Sequence, residues 1–575
     1  MAIFTPSESP AVTFKEVDLT SVVRNAQSST GSVVGNFRWG PVAERTDIQD
    51  EAQLASTFGA PNDNTSVDFH TAAMYLRYSQ DLYVVREIDS DATNAYVSTD
   101  GASAPVVKNT ENFETQQSTL NTAGHTFIAR FPGDLGNSLK VEMCPFDSDG
   151  STFTNWSYAT EFDAAPDTSD FAAGKGAAHD EVHVIVIDED GNFTGTAGTV
   201  LERFPFVSLA SNAKNTDGTT NYILNVIKNK SRYIHAVGFD SDYTAAGAGT
   251  DTSTTTDYAL VTPAVKATSL SGGVASASIG VDDIARGFDL FEDVDTVQID
   301  FLIAPSVVSR TDHVTVVNDL VATAQSLRKD CVVVASPARS DIIGSSTPVT
   351  NTVTTANMFT SSSYLVVDNN FLKIYDKYND KYIYVPASSS TAGIMAASDV
   401  NAAPWYSPAG SRRGQYLGIT SLAYSPIKSE RDTLYRIGVN SIANIPGKGV
   451  LLYGDKTKLA RPSAFDRINV RRLFLVVERA ISNAAKDVLF QFNDEFTRAE
   501  FVNIVEPFLR EIQGRRGITD FRVVCDETNN TATIIDNNEF KADIFIKPAR
   551  SINYVTLNFV GVRTGVQFEE VVGTV

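Results

Sequence analysis

Cysteine and long apolar runs are both scarce in this 575-residue chain. The three cysteines, Cys144, Cys331 and Cys525, are odd in number and far apart, which is typical of neither a disulfide framework nor a metal site. We therefore expect buried free thiols. No apolar run approaches the roughly 18 residues that a membrane span needs, and the opening MAIFTPSESP lacks the basic-then-apolar order of a signal peptide. We expect no stable membrane insertion, and a chain that stays in the cytoplasm where it is made.

Positive charge is also in deficit. The chain carries 47 Lys and Arg against 69 Asp and Glu, a net charge of -22. Affinity for a phosphate backbone comes largely from clustered Lys and Arg, so we expect no direct nucleic-acid binding. The charge is uneven: residues 101–280 hold 10 basic against 21 acidic side chains, whereas residues 430–575 hold 20 against 19. This asymmetry indicates that one module faces a partner and another faces solvent.

No catalytic or metal-binding motif is complete. HDEVH, from His179 to His183, resembles a zinc-protease pattern, but the following VHVIVID alternates as a strand and would hold the two rings roughly 13 Å apart. GVLLYGDKT (449–457) misses a phosphate loop because Asp455 intrudes before the lysine. DEDGN (188–192) lacks calcium-loop spacing and is typical of a hairpin turn. We expect no enzyme activity, no cofactor and no metal.

The sequence does contain the alternating elements of an α/β core. VQIDFLIAP and CVVVASP are short, β-branched runs on either side of a segment with apolar residues at helical spacing (311–330). This pattern predicts a βαβ unit with parallel strands and a right-handed crossover. Residues 31–86 predict a strand, two helices and a further strand of the same layer. LVVDNNFLKIYDKYNDKYIYVP predicts a hairpin.

Both ends of the chain contain strand patterns, and the one at the N-terminus has no obvious partner. Near the N-terminus, Val12 and Phe14 alternate with polar residues in a segment that has no neighbouring strand in sequence. The C-terminal end contains two alternating stretches, the first with apolar residues at Val555, Leu557 and Phe559 and the second at Val566 and Phe568. Isolated strands of this kind must pair elsewhere in the fold or with another molecule.

The region after residue 430 is predicted to form a C-terminal module in which basic and acidic side chains are nearly equal in number. The strand Gly449 to Tyr453 leads into a long amphipathic helix that extends to about Val488. FTRAEFVNIVEPFLREIQGRRG predicts a second helix that Pro507 should bend or split. The strands ITDFRVVCD, TATIID and KADIFIKP are predicted to follow.

Together these patterns predict an α/β (α+β) multidomain protein, with a mixed-sheet core, an inserted β-rich domain and extended arms at both ends. The predicted segments are an N-terminal arm (1–30), the first part of the core (31–100), the inserted outer domain (101–280), the second part of the core (281–430), a C-terminal core module (431–545) and a C-terminal arm (546–575).

Several stretches, taken in order, resemble the tail sheath proteins of contractile-tailed bacteriophages. They are SPAVTFKEVDLT, VVGNFRWGP, LYVVREID, FDLFEDVDTVQIDFLIAP, APWYSPAGSRRG, NIPGKGVLLYGDKTKLARPSAFDRINVRRL and FKADIFIKPARSINYVTLNF. Each match is short, and their common order is the specific signal. The likeness covers residues 10–100 and 280–575 and fails over the insert.

The resemblance implies a subunit of a helical jacket of stacked hexameric rings around a tail tube. Such a sheath is assembled in the host cytoplasm, becomes part of the virion and contracts to drive the tube through the host envelope for DNA delivery. The implied partners are further copies of the chain, the tail tube protein, and baseplate and tail terminator proteins.

Two sets of residues acquire roles from the resemblance. The terminal strand residues named above become candidates for strand exchange between subunits, with pairing inside their own domain as the alternative. Arg510, Arg515 and Arg516 become candidates for meeting an acidic tube surface, the alternative being a solvated helix end. Two other functions stay open: the sheath of an injection particle without DNA cargo, and an α/β enzyme or metal-binding protein with an unrecognised site.

Overall fold

The computed structural model describes residues 29–99 and 101–553, which fall into two compact units. The larger unit comprises residues 29–404 and 408–479, and the smaller unit comprises residues 405–407 and 480–553. All three cysteines are buried and unpaired, as predicted. Burial raises the pKa of the Cys331 thiol to about 12, so this thiol is protonated and unreactive at neutral pH.

The strands of the larger unit are short. They are β1 (Gly31–Gly35), β2 (Arg45–Ile48), β3 (Leu82–Arg86), β4 (Tyr96–Ser98), β5 (His125–Ala129), β6 (Leu139–Pro145), β7 (Glu181–Asp188), β8 (Thr199–Ser208), β9 (Ile234–Ala236), β10 (Lys266–Ser269), β11 (Phe301–Ile303), β12 (Val332–Ala335), β13 (Leu365–Asp368), β14 (Phe371–Asp376), β15 (Lys381–Pro386), β16 (Ser421–Leu422), β17 (Val439–Asn440), β18 (Ile442–Ile445) and β19 (Gly449–Leu452).

The helices of this unit alternate with the strands. They are α1 (Glu51–Phe58), α2 (Ser66–Leu76), α3 (Thr110–Thr122), α4 (Ser151–Thr154), α5 (Asp170–Lys175), α6 (Ile223–Lys230), α7 (Ser241–Ala245), α8 (Val281–Asp289), α9 (Arg310–Ala322), α10 (Arg339–Ile342), α11 (Pro348–Met358), α12 (Ser388–Asn401) and α13 (Lys428–Arg436). The helix α14 (Ile468–Lys486) begins in the larger unit and ends in the smaller one.

A seven-stranded sheet forms the centre of the larger unit, in the order β17-β13-β12-β11-β1-β3-β2. Every pair is parallel except β2 with β3, which makes the sheet mixed, as predicted. The predicted βαβ unit is confirmed by β11, α9 and β12, with Phe301 opposite Val332. The sequences of such strands are continuous apolar runs because both faces of the sheet are covered.

Helices pack on both faces of this sheet. Val34, Leu302 and Val333 point to the face that packs against α8 and α9, where Phe288 and Leu320 are buried. The opposite face carries alternate strand residues and packs against α2, α12 and α14. The alternation follows from the two-residue period of a strand and gives an α/β/α layer structure.

Antiparallel sheets occupy the region predicted as an insert. The four-stranded sheet has the order β10-β6-β7-β8, and a three-stranded sheet has the order β4-β5-β9. The turn predicted from DEDGN joins β7 to β8, where Asp188 accepts hydrogen bonds from the backbone of Phe193 and Thr194. The predicted boundaries at residues 101 and 280 stay predictions.

Two smaller sheets complete the larger unit. The predicted hairpin is present as β14 and β15, with β16 added to its free side, and β18 pairs with β19. The strand predicted from Gly449 is therefore confirmed, and the helix predicted after it is α14.

The smaller unit contains α15 (Glu495–Gly514), β20 (Ile518–Val524), α16 (Ala532–Asp536) and β21 (Asp543–Pro548). Two details of the sequence analysis are wrong here. Pro507 does not split its helix, which is continuous from Glu495 to Gly514, so of the predicted bend or split only a bend stays a prediction; Pro507 lies on the exposed side, where the unmatched carbonyl four residues earlier can bind water. TATIID is not a strand, because β20 and β21 pair directly and this segment forms α16 in the connection between them.

Candidate functional site

The helix α15 contains the predicted Arg510, and Arg515 and Arg516 follow its last residue; all three are exposed. Asp494 caps the N-terminus by accepting a hydrogen bond of 2.8 Å from the backbone of Thr497. One face is buried through Phe501, Val505 and Leu509, so the charged side chains of the last turns face solvent. Arg510 has a side chain that is 71% exposed and lies 3.5 Å from Glu506, a surface pair that contributes little to stability.

Arg515 follows the last residue of α15 and is held by aromatic residues from a distant loop. Its guanidinium lies 5.0 Å from the ring centre of Trp405 and 3.6 Å from a carboxylate oxygen of Glu511. Its carbonyl accepts hydrogen bonds from the Trp405 indole at 3.1 Å and from the Tyr406 hydroxyl at 3.3 Å. These contacts stabilise the end of α15 and orient the Arg515 side chain.

Arg516 lies two residues beyond the last residue of α15 and has a left-handed backbone conformation, with φ of 64°. Its backbone N–H bonds to the carbonyl of Gln513 at 3.0 Å, and the N–H of Gly517 bonds to Ile512 at 2.9 Å. This is the arrangement that satisfies the last carbonyls of a helix. A side chain at Gly517 would come within 2.6 Å of Ile512, so glycine is required there. The structure therefore brings the arginines together at one helix end, partly neutralised by Glu506 and Glu511.

The strands β20 and β21 form a two-stranded antiparallel ribbon. Phe521 is opposite Ile546, and Arg522 is opposite Phe545. In the part of the chain that the structure describes, neither strand pairs with a third, so each has one open edge. Isolated two-stranded ribbons are marginally stable in water, and open edges accept further strands.

One face of the ribbon exposes an apolar side chain among charges. Residues of β21 alternate between exposed and half-buried, and Phe545 is 60% exposed. On the same strand Lys547 lies 3.3 Å from Asp520 of β20. An added strand would cover Phe545 and supply backbone partners to the open edge, since cross-strand pairs stabilise a sheet.

A second exposed apolar surface was missed in the sequence analysis. Between α14 and α15 and at the start of α15, four large apolar side chains are exposed: Leu489 (60%), Phe490 (103%), Phe492 (86%) and Phe496 (76%). The sequence signal is LFQFNDEF, which has three phenylalanines between polar and acidic residues. Apolar surface of this kind is typical of a contact with another molecule.

The predicted strand-exchange residues lie outside the described residues. Val12 and Phe14 precede residue 29, and Val555, Leu557, Phe559, Val566 and Phe568 follow residue 553. Their role stays a prediction. The described chain leads into this last segment directly from β21, through residues 549–553.

Comparison with known proteins identifies the family of this chain. The model of the phage tail sheath protein central domain matches residues 277–458, and that of the phage tail sheath C-terminal domain matches residues 460–560. The tail sheath protein of Vibrio phage KVP40 is 31% identical over 98% of this chain and 99% of its own length. The chain belongs to the phage tail sheath protein family. The tail sheath protein of Enterobacteria phage T4 is likewise 31% identical, over 98% of this chain and 99% of its own.

The sheath-family fold is also found in solved structures. The sheath tail protein of Listeria innocua has a TM-score of 0.54 at 11% identity, and the match covers 92% of this chain and 97% of that one. At this identity the likeness shows the fold alone, and it agrees with the predicted α/β multidomain class.

The weak motifs of this sheath protein have structural roles. His183, on β7, uses both ring nitrogens: Nε2 lies 2.8 Å from the carbonyl of Ala164, and Nδ1 accepts from the backbone of Phe206 at 3.1 Å. His179 pairs instead with Asp257 at 2.9 Å. Within the described ranges, no group of three or more His, Cys, Asp or Glu side chains could hold a metal ion.

The side chains of the segment that resembles a phosphate loop likewise bind other parts of the fold. Asp455 pairs with Arg467 at 2.8 Å, Lys456 donates to the carbonyl of Tyr435 at 3.0 Å, and Thr457 donates to the carbonyl of Phe465 at 2.8 Å. Among the described helices, none is long and apolar enough to cross a membrane.

Proposed function

We propose that this protein is the structural subunit of a contractile phage tail sheath, which polymerises as stacked hexameric rings around the tail tube. Contraction of the sheath drives the tube through the host envelope and delivers DNA. The chain is assembled in the host cytoplasm, becomes part of the virion, and meets tube, baseplate and tail terminator proteins. Membership of the tail sheath family supports this role over that of an enzyme or metal-binding protein. A sheath without DNA cargo is the second candidate, on the same family likeness.

The observation that carries the proposal is the open ribbon of β20 and β21. Its two free edges accept one strand each, and the strand patterns around Val12 and Val555 supply candidates from neighbouring subunits. Backbone hydrogen bonds supply affinity, and alternate side chains such as Phe545 fix the register. Strand exchange of this kind keeps subunits connected while their globular parts rearrange between two packings.

Truncation of the N-terminus tests the strand exchange. The chain lacking residues 1–20 is expected to remain a soluble monomer, whereas the full chain forms tubes or rings in negative-stain electron microscopy. Long polymers of the truncated chain would show that the N-terminal segment is not the exchanged strand. A persistent monomer of the full chain would contradict the sheath function itself.

A substitution on the ribbon tests the acceptor surface. Phe545→Asp places a charge where an added strand should pack and is expected to shorten the polymers, because an apolar cross-strand pair is lost. Val261→Asp is the matched control, since Val261 is 98% exposed and lies in the region predicted as the outer insert. Equal polymer lengths for the two variants would contradict the proposal that the ribbon accepts a strand from a neighbouring subunit.

The arginines at the end of α15 are proposed to contact the tube. Arg510 and Arg515 project from one helix end beside Arg516, and guanidinium groups suit an acidic partner surface. The triple substitution to Glu should abolish assembly on purified tail tubes while leaving polymerisation without tubes intact. Arg412→Glu, at an exposed arginine of the larger unit, is the control. Unchanged assembly of the triple variant on tubes would refute the contact.

A further inference from the structure

A polar cavity of about 440 Å³ lies in the larger unit, beside the start of α14. Its walls come from four segments: Gln325 in the turn after α9, the approach to β13, the chain after β19, and the first turn of α14. The residues that matter for its chemistry are Ser361, Ser362, Ser363, Tyr364, Arg461 and Arg471. The volume is in the range of sites that hold small ligands or side chains.

Arg471 forms one wall of this cavity and is only 7% exposed. Its guanidinium lies between two rings, 4.3 Å from the centre of Tyr364 and 4.2 Å from that of Phe465. One terminal nitrogen donates to the hydroxyl of Ser363 at 2.6 Å, and Nε has no hydrogen-bond partner in the described structure. Glu478 is close enough to affect the Arg471 pKa, but no ion pair within 4.0 Å joins them in the described chain. A buried charge is thus left without a carboxylate.

Two other arginines of α14 have the carboxylate partner that Arg471 lacks in the described chain. Arg472 pairs with Asp399, and Arg479 pairs with Asp300 at 2.6 Å, all four side chains being buried. Buried arginines in proteins are normally paired in this way, because an isolated buried charge is costly. Arg471 therefore differs from two residues of its own helix in lacking an acidic partner among residues 29–99 and 101–553.

Further donors converge on the same cavity. The hydroxyl oxygen of Ser361 accepts from Ala460 at 2.9 Å, that of Ser362 accepts from Tyr364 at 3.1 Å, and that of Ser363 accepts from Arg471. None of the three hydroxyls donates to a described acceptor, so each has a proton available. Arg461 lies exposed at the rim and makes no ion pair with a described residue. Two guanidiniums and three hydroxyls together form a site for an oxyanion.

We propose that this cavity binds the carboxylate of an Asp or Glu side chain from a second copy of the chain, so that Arg471 gains its acidic partner only in the polymer. The proposal rests on the sheath function above, which places copies of the chain in contact. A second copy fits the charges, because the chain as a whole carries 69 acidic against 47 basic side chains. An acidic surface on one subunit and a basic cavity on the next are complementary, which fixes register as well as affinity.

Zero-length cross-linking identifies the occupant directly. Arg461→Lys and Arg471→Lys place an amine in the cavity, and a carbodiimide joins an amine only to a carboxylate in contact with it. Polymers are grown from equal amounts of ¹⁴N- and ¹⁵N-labelled chains and analysed by mass spectrometry. We expect cross-links between light and heavy peptides at the lysine introduced at position 461 or at position 471. Arg412→Lys, at an exposed arginine outside the cavity, is the control for random coupling.

Polymerisation gives the second measurement. Arg461→Gln and Arg471→Gln should each raise the critical concentration for polymerisation, with the buried Arg471 raising it about tenfold or more and the rim Arg461 less. Thermal unfolding of the unpolymerised variants shows whether they are folded. If Arg471→Gln does not fold, Arg461→Gln still tests the cavity, because Arg461 is exposed.

The outcomes separate the alternatives. Polymers without mixed-isotope cross-links at either introduced lysine would overturn the proposal. The same holds if the Arg471→Lys variant forms a cross-link only to Glu478 of its own chain. If sodium acetate raises the unfolding temperature of the single subunit but no inter-chain cross-link forms, the cavity binds small anions and the second-copy proposal is wrong. If the unsubstituted chain forms no polymer at all, the proposed sheath function is wrong, whatever the cavity binds.

Discussion

Acid should destabilise the larger unit through His313, which is buried near the start of α9. Its Nε2 lies 2.7 Å from the carbonyl of Ser336, and Nδ1 has no hydrogen-bond partner in the described structure. Burial lowers the pKa of His313 from 6.5 to about 4, and the Ser336 bond and the charge of Asp341 offset only part of this. A protonated ring would be a buried charge with one unpaired N–H.

The direction and size of the effect follow from proton binding. Below pH 6.5 the unfolded chain binds a proton at this histidine and the folded chain does not, so stability is lost as the pH falls from 6.5 towards 4. Between about pH 7.5 and about pH 5, these two pKa values correspond to a loss of about 2 kcal/mol in the free energy of unfolding.

The variant His313→Gln isolates this contribution, because glutamine can donate to Ser336 but does not titrate. Urea unfolding of the chain lacking residues 1–20, followed at both pH values, should show a pH-dependent loss smaller by about 2 kcal/mol than in the parent. His179→Gln, whose side chain is 31% exposed, serves as the control. Equal pH dependence in parent and His313→Gln would refute the assignment of a lowered pKa to burial.

Three further substitutions test the packing of the larger unit. Arg479→Met removes the ion-pair partner of the buried Asp300 and should lower the free energy of unfolding by about 3–5 kcal/mol, with part of the loss recovered in the Arg479→Met/Asp300→Leu double variant. A double-mutant cycle from urea unfolding measures this coupling, and additive losses would contradict it. Arg86→Met removes donors to three buried carbonyls and should cost about 3 kcal/mol or more in the same assay; a loss below about 1 kcal/mol would show that the carbonyls find other partners. Gly287→Ala brings a methyl group to 2.5 Å from a side chain of β1 and should lower the unfolding temperature, whereas Gly174→Ala, where the added methyl group meets open space, should not. Equal unfolding temperatures for the two variants would mean that β1 shifts to make room for the added methyl group.

The parts of the fold that were predicted correctly have local signals. The runs VVV around Val333 and FLI at Phe301 are apolar on both faces, which is typical of a central parallel strand, and they are adjacent in the sheet. The long helix α14 was predicted from helical spacing alone. TATIID failed because six residues with mixed polarity fit either structure, and only the direct pairing of β20 with β21 excludes a strand.

The candidate sites were predicted less completely. Arg515 was named from its position in the chain, but its contact with Trp405, 110 positions earlier, has no signal in the sequence. The sequence likewise gives no means of telling Arg471 from Arg472 or Arg479. The difference is the presence of Asp399 and Asp300 beside the latter two and of serine hydroxyls beside the first.

By itself, the amino-acid sequence determined the class of the fold, the free thiols, the charge asymmetry and the family likeness. These depend on periodicity, on composition and on short stretches kept in order, all of which are properties of neighbouring residues. Within the part of the chain that the structure describes, the tertiary structure decided which charges are paired, where the ribbon has open edges, and that Arg471 faces a cavity without a carboxylate. Those features depend on contacts between residues far apart in the chain, and such contacts exist only once both faces of the central sheet are covered.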